Sequence, residues 1–243
     1  MNGGNFVCSG TLVQGQNDRA IIATAAHCLY DSDTHSFAYN VLVIPAQDDG
    51  SGEGSDRDCS NDPNGCFYPT FAAVSKHYKT ATFQNSFEYD YGFYVAPDTD
   101  PGPNNGPHVH GFDNGGHESI KPMAISFSGV QEGFETHLFG YPAKLDPYFM
   151  YSIGEAEASP LGNNGPYVDC SGLTGGASGG PWTQADTSSG TLVVHSVNSW
   201  GWGNGNPGMG APPFNTGGAQ CLFQAANTAS MNSGDIVAHH CPR

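Results

Sequence analysis

Positive charge is scarce in this chain: 7 Lys and Arg stand against 23 Asp and Glu, for a net charge of −16. Such a surface repels a phosphate backbone and offers nothing to anionic headgroups, so nucleic acid and membrane surfaces are excluded as partners. Long apolar runs are missing too, and no stretch approaches the ~18 residues that cross a bilayer. No Cys-x-x-Cys pair occurs among the 7 cysteines, which argues against zinc ribbons and thioredoxin-like chemistry. No Asn-x-Ser/Thr sequon occurs either, so N-glycosylation is not expected.

What the chain has in excess is glycine, 34 of 243 residues with 17 prolines beside them. That share of glycine is roughly double the usual ~7%. Short strands joined by tight turns fit this composition, and a helical bundle or coiled coil does not. The 14 Phe, 11 Tyr and 3 Trp need a core, which sets the chain apart from disordered sequences. The length suits one large all-β domain or two small ones. Cys59 and Cys66 bracket the turn-rich segment Ser60 to Gly65, a loop of the kind that small disulfides close. Met1-Asn2-Gly3-Gly4-Asn5 has no positive charge and no apolar stretch. The expectation is therefore a secreted, extracellular, oxidised protein whose signal and propeptide lie outside this chain.

Segments rich in β-branched and aromatic residues, bounded by Gly, Pro, Asn or Asp, predict strands. They run over Phe6–Val13, Ala20–Ala26, Phe37–Ile44, Phe67–Tyr78 and Tyr89–Val95, then Ala124–Ser128, Thr136–Tyr141, Tyr148–Ile153 and Leu192–Trp200. Only Gly218–Met231 has helical spacing, with Leu222, Ala225, Ala226 and Ala229 on one face. Two loops broken by glycine or proline, Asp48–Asp62 and Pro97–His117, stand out. The second separates an early set of strands from a late one. The pattern reads as an antiparallel all-β protein, with two barrels side by side as the natural arrangement.

Three segments carry chemistry. Thr24-Ala25-Ala26-His27-Cys28 closes an apolar run, where a histidine is held rigid yet faces a cleft and exchanges protons near neutrality. A Cys8–Cys28 bridge would pin the two strands beside it, contributing about 3 kcal/mol. Gly175-Gly176-Ala177-Ser178-Gly179-Gly180-Pro181-Trp182 places a serine among bare backbone. Such N–H groups can converge on a developing oxyanion. The segment also fits the Gly-x-Ser-x-Gly elbow of α/β-hydrolases, but that elbow needs a helix after the serine, and Pro181 stands three residues on. Among the aspartates weighed between His27 and Ser178, Asp90 alone is set in an aromatic run, Phe87 to Val95. A carboxylate buried there needs a partner, and a histidine N–H supplies one.

Cys8-Ser9-Gly10-Thr11-Leu12, Ala25-Ala26-His27-Cys28, Tyr89-Asp90-Tyr91-Gly92, Ser178-Gly179-Gly180-Pro181 and Ser199-Trp200-Gly201 together resemble the chymotrypsin-like serine peptidases. The look is closest to secreted microbial members, including glutamyl-endopeptidase-like enzymes. The resemblance runs from Phe6 to about Phe223. It implies two six-stranded antiparallel β-barrels with a C-terminal helix. Residues 1–117 would hold His27 and Asp90, and residues 118–243 would hold Ser178 and the helix. It also implies a His27–Asp90–Ser178 triad, an oxyanion hole from the N–H groups of Gly176 and Ser178, and protein or peptide substrates for a monomeric enzyme. The alternative function is a catalytically inactive homologue serving as a binding module.

Departures from the family pattern bear on activation and specificity. Ala177 stands where animal trypsins carry the aspartate that pairs with a new N-terminus. Gly172 replaces the acid that selects Arg or Lys, and Leu173 and Asn198 occupy the places that glutamate-specific relatives give to Thr or Ser and to His. Leu173, Asn198, Ser199, Trp200 and Gly201 are the expected substrate-binding positions, around an uncharged pocket for apolar or small side chains. No cofactor is expected and no metal site is assigned. Calcium in the Asp48–Asp62 loop and a metal at His108, His110, His117 and Glu118 are lesser readings. Cys221 would pair with Cys241, leaving Cys170 free.

Overall fold

Five-residue apolar runs with no polar alternation form the centre of the early half, because both faces of their sheet are covered. The computed structural model describes residues 5–15, 20–47, 62, 64–82, 84–96, 120–169, 171–202, 205–230 and 234–242. Among them the early half has β1 (Thr11–Val13), β2 (Ala20–Thr24), β3 (Tyr30–Asp31), β4 (Ser36–Phe37), β5 (Phe71–Ser75) and β6 (Gly92–Ala96). Every residue of β2, β5 and β6 is buried. Alternate side chains divide between two cores. Ile21, Ala23, Ala73, Phe93 and Val95 face one, and Ile22, Ala72, Val74 and Tyr94 face the other with Leu29 and Tyr30.

The late half has β7 (Glu135–Gly140), β8 (Met150–Glu155), β9 (Glu157–Ala158), β10 (Pro166–Val168), β11 (Pro181–Ala185), β12 (Leu192–Val197), β13 (Trp200–Gly201) and β14 (Met209–Gly210). Two four-stranded sheets result, ordered β12-β11-β7-β8 and β13-β14-β10-β9. Leu138, Val168, Trp182 and Met209 fill the space between them. Pro181 opens strand β11 directly after the serine segment, so no helix follows Ser178. This is an all-β architecture of chymotrypsin-like type.

Several local outcomes differ from the sequence reading: of Phe37–Ile44 only Phe37 joins a strand, and Ala124–Ser128 makes only a bridge from Ile125 to Val194. The strand predicted over Phe67–Tyr78 ends at Ser75, whose Oγ accepts the His77 N–H at 3.1 Å and starts the short helix α1 (Lys76–Thr80). The helix predicted to Met231 is α2 (Gly218–Thr228). Its buried Leu222, Phe223 and Ala226 join the core of the early sheet. Beyond it, β15 (Ile236–Ala238) pairs parallel with β5, giving the order β1-β2-β6-β5-β15 in a sheet expected to be wholly antiparallel. Asp235 Oδ1 accepts the Ala72 N–H at 2.9 Å at the start of this pairing. A division at residue 117 groups these last elements with the late strands, yet they pack on the early ones.

Cysteines tie both regions down. Cys8 bonds Cys28 with Cα atoms 6.2 Å apart, and Cys221 bonds Cys241 with Cα atoms 5.4 Å apart. Cys59 and Cys170 lie outside the described residues, and so do His108, His110, His117, Glu118 and nearly all of the Asp48–Asp62 loop. Among the described residues, two groupings of His and Cys come close together, but both spend their sulfurs in these disulfides and have no thiolate to offer a metal.

Candidate active site

Strand β2 stops at Thr24, and the chain turns through one short 3-10 helix, Ala26–Cys28, that carries His27. Ala26 and Cys28 are buried on either side, and Cys28 is held by its disulfide. The imidazole itself keeps about a third of its surface open, at 36%. Asp90 follows a second 3-10 helix, Asn85–Tyr89, and precedes β6. The aromatic run puts it in the interior, where it is 2% exposed.

A carboxylate that deeply buried must be satisfied. Asp90 Oδ1 accepts the backbone N–H of His27 at 2.8 Å, Oδ2 accepts His27 Nδ1–H at 2.8 Å, and Oδ2 also accepts the Ser199 hydroxyl at 2.6 Å. Both contacts to His27 fix the ring as well as its backbone. An ionised acceptor on Nδ1 puts the imidazole proton there and leaves Nε2 as the basic nitrogen. Burial works against the charged imidazolium, but the neighbouring Asp90 charge and its hydrogen bond outweigh it and hold His27 above the ordinary histidine value.

The serine segment is fixed by close backbone approach. Gly179 has φ +85°, and a Cβ on it would run into Thr24 Oγ1 and the Ser9 carbonyl. A Cβ on Gly180 would run into the Phe139 carbonyl. Only glycine fits at either place. Ser178 sits half-buried at this junction. Its carbonyl accepts the Ser9 N–H at 2.7 Å and lies 3.7 Å from the Cys28 sulfur. The loop therefore packs on the residues that lead into His27. Gly176, at φ +99°, lies against Tyr141 and Ala143, and the Ala143 N–H donates to the Gly175 carbonyl at 2.8 Å.

Asn198 and Ser9 hold this loop from beneath, and neither role is legible in the motifs. Asn198 is 0% exposed. Its Oδ1 accepts Trp182 Nε1–H at 2.7 Å, and its Nδ2 donates to the carbonyls of Phe139 and Ala177 at 2.8 and 2.9 Å. Every polar group of that amide is committed, so Asn198 supports the serine loop and has nothing left to offer a substrate. Ser9 Oγ accepts the Tyr141 N–H at 2.8 Å and donates to the Gly176 carbonyl at 2.9 Å.

The other expected binding positions divide in the same way. Leu173 is 7% exposed and packs with Leu138, Trp182 and Met209, so its side chain belongs to the core. Ser199 is buried and spends its hydroxyl on Asp90. Trp200 is 7% exposed and stacks on Phe87 and Tyr167, each at 5.6 Å between ring centres. Gly201 alone lies open: a Cβ there would meet only the Gly208 carbonyl. Gly172 and Gly175 likewise have nothing within 4 Å of such an atom.

No protein-family model matches the chain, and no curated protein matches it. Solved structures do. A thermostable serine protease, AL20, from an extremophilic microorganism is 27% identical, with a TM-score of 0.69 over 94% of each chain. The Anisep protease of Arthrobacter nicotinovorans is 24% identical, with a TM-score of 0.69 over 94% of this chain and 92% of its own. A Glu endopeptidase is 18% identical, with a TM-score of 0.60 over 92% of this chain and 86% of its own. By fold and by these likenesses, the chain is a serine protease of chymotrypsin-like architecture.

Proposed function

We propose that the chain is a secreted endopeptidase that cleaves peptide bonds through His27, Asp90 and Ser178. The observation that carries this reading is the buried Asp90 carboxylate. It is clamped by both His27 N–H groups and by Ser199, beside a serine loop that glycine alone can build. Ser178 Oγ attacks the scissile carbonyl while His27 Nε2 takes its proton. The same nitrogen then gives the proton to the leaving amine, and an acyl-enzyme remains for water to hydrolyse. Asp90 holds the ring and stabilises its charged form. The N–H groups of Gly176 and Ser178 receive the oxyanion, a donor of this kind being worth about 3–4 kcal/mol.

The specificity pocket is uncharged and takes apolar or small side chains. Three positions around it, Gly172, Gly175 and Gly201, bring no side chain, and the two acids or hydroxyls that would select Arg, Lys or Glu are absent from Gly172 and Leu173. Export fits the two disulfides, and no helix among the described residues is long and apolar enough to cross a membrane. A peptide library incubated with wild type and with Ser178→Ala tests the reading. Cleavage after apolar or small residues, abolished by the substitution, is the expected result. Cleavage dominated by Arg, Lys or Glu would overturn the pocket, and equal cleavage by both proteins would overturn the nucleophile.

A further inference from the structure

Asp90 stands at the middle of a three-residue turn. The Tyr91 N–H donates to the Tyr89 carbonyl at 2.8 Å, and Asp90 between them has φ −80° and ψ 55°, the inverse γ geometry. The direction of its carboxylate therefore depends on where Tyr89 and Tyr91 are held. Tyr91 is buried edge-on against Phe214, with ring centres 5.7 Å apart. The 3-10 helix that ends at Tyr89 has no fully buried residue, so contacts beyond the core matter to its position.

The segment that follows β15 touches both ends of this turn. β15 runs beside β5, and its Ala238 lies opposite Ser75, the residue that caps α1. After the exposed His239 and His240, Cys241 is buried, and its carbonyl accepts His77 Nε2–H of α1 at 3.2 Å. The His77 ring in turn packs on Tyr89, with centres 5.3 Å apart and planes 36° apart. Pro242 reaches the other end. A Cβ on Gly218, the first residue of α2, would run into the Tyr91 hydroxyl and lie 2.9 Å from the Pro242 carbonyl. Tyr91, Gly218 and Pro242 therefore meet at one place. Two anchors fix the segment itself: Asp235 Oδ1 on the Ala72 N–H at its start, and the bond from Cys241 to Cys221 of α2 near its end.

We propose that residues 236–242 form a strap that positions Asp90 by holding both ends of its turn, with His77 as the positioning residue that carries the hold to Tyr89. The inference rests on the catalytic reading of His27, Asp90 and Ser178. His77 acts on Tyr89 and, through the turn, on the acid. The disulfide does what a single hydrogen bond does not: it takes away the freedom of the segment that carries the Cys241 carbonyl, so the acceptor stays in front of His77. With the strap loose, Asp90 is free to tilt away from His27 Nδ1. A small tilt is enough, because a displacement of ~1 Å in a catalytic group costs up to about 10²-fold in rate.

Two variants separate positioning from stability. Cys221→Ala with Cys241→Ala opens the lock, and His77→Phe keeps a ring on Tyr89 while removing the donor to Cys241. Each is compared with wild type at a temperature where circular dichroism shows it folded. The readouts are the His27 midpoint, from NMR titration of its imidazole protons, and kcat and KM on a short amide. Against the burial that lowers it, the Asp90 charge and hydrogen bond hold His27 above the ordinary histidine value. A loosened Asp90 should let that midpoint fall back toward about 6.5 in both variants. Any charge on His77 would depress His27, so its removal alone would move the midpoint the other way. In both variants kcat should drop roughly ten- to a hundredfold with KM little changed. His77→Gln, which can still donate to the Cys241 carbonyl, should recover part of the loss. Variants that melt earlier but keep the wild-type midpoint and kcat would make the segment a structural tie and overturn the proposal. A midpoint that falls in the disulfide variant but not in His77→Phe would overturn the role of His77. Folded wild type that does not turn over the amide would overturn the catalytic reading, and the His27 midpoints would still decide whether the strap holds Asp90.

Discussion

Ser199 Oγ donates to Asp90 Oδ2 at 2.6 Å, on the same oxygen that accepts His27 Nδ1–H. The bond joins the residue just before β13 of the late half to the acid of the early half, across 109 residues of chain. It makes Ser199 a positioning residue for the pair, since its hydroxyl reaches the carboxylate and not the open cleft.

Replacing Ser199 by Ala should leave the fold intact at a cost of about 1.5–3 kcal/mol, the value of one hydrogen bond to a charged group. With one donor fewer, Asp90 attracts the imidazolium more strongly, so the pH midpoint of activity should move upward. Thermal denaturation and a pH profile of kcat/KM check the two effects together.

The pH profile of the wild type follows from the raised His27 pKa. Peptide bond cleavage needs Nε2 unprotonated, so kcat/KM should climb through a midpoint above about 6.5, the unperturbed histidine value. Stability runs the other way. The charged ring is favoured in the fold, so its contribution is complete below about pH 6.5 and disappears as pH rises through the folded value. Asp90→Asn should pull the midpoint down and reduce kcat by about 10⁴. A midpoint that the substitution does not move would show that Asp90 does not set it.

Asn198→Ala removes three bonds at once, strands Trp182 Nε1 in the interior and takes one donor from each of the Phe139 and Ala177 carbonyls, the latter keeping the Gly180 N–H at 3.0 Å. At about 1–3 kcal/mol for the stranded indole N–H and about 1 kcal/mol for each of the other two bonds, a loss of roughly 3–5 kcal/mol is expected in urea titration. Activity of the remaining folded fraction should fall as well, because the Ala177 carbonyl anchors the serine loop.

Gly176→Ala separates stability from chemistry. The added Cβ lies 2.5 Å from the Ala143 nitrogen at a φ of +99°, so the backbone must rotate. Its N–H then leaves the oxyanion position, and kcat should drop about 10²–10³ with KM little changed. Steady-state kinetics on a short amide would show this.

Much of the site was legible because its residue types have few other uses. Asp90 stood out as the acid in an aromatic run, and it is the acid that the structure buries against His27. The glycines around Ser178 signalled close backbone approach, and Gly179 and Gly180 meet Thr24 and Phe139. What stayed hidden depends on contacts far apart in sequence. Asn198 and Ser9 are ordinary polar residues whose partners lie up to 59 and 167 positions away. Leu173 reads as a pocket wall because glutamate-specific relatives give its place in the motif to Thr or Ser, whereas here its side chain belongs to the core with Trp182 and Met209. β15 is three apolar residues near the end of the chain, too short to predict, and becomes a strand only by pairing with β5.

The proposed function stands or falls with the activation of Ser178 as a nucleophile by His27. Reaction with a fluorophosphonate probe, read by mass spectrometry of the modified peptide, tests it most directly. Stoichiometric labelling at Ser178, lost in His27→Ala while that variant remains folded, is expected. Folded wild type that takes up no probe, or labelling that survives His27→Ala undiminished, would contradict it.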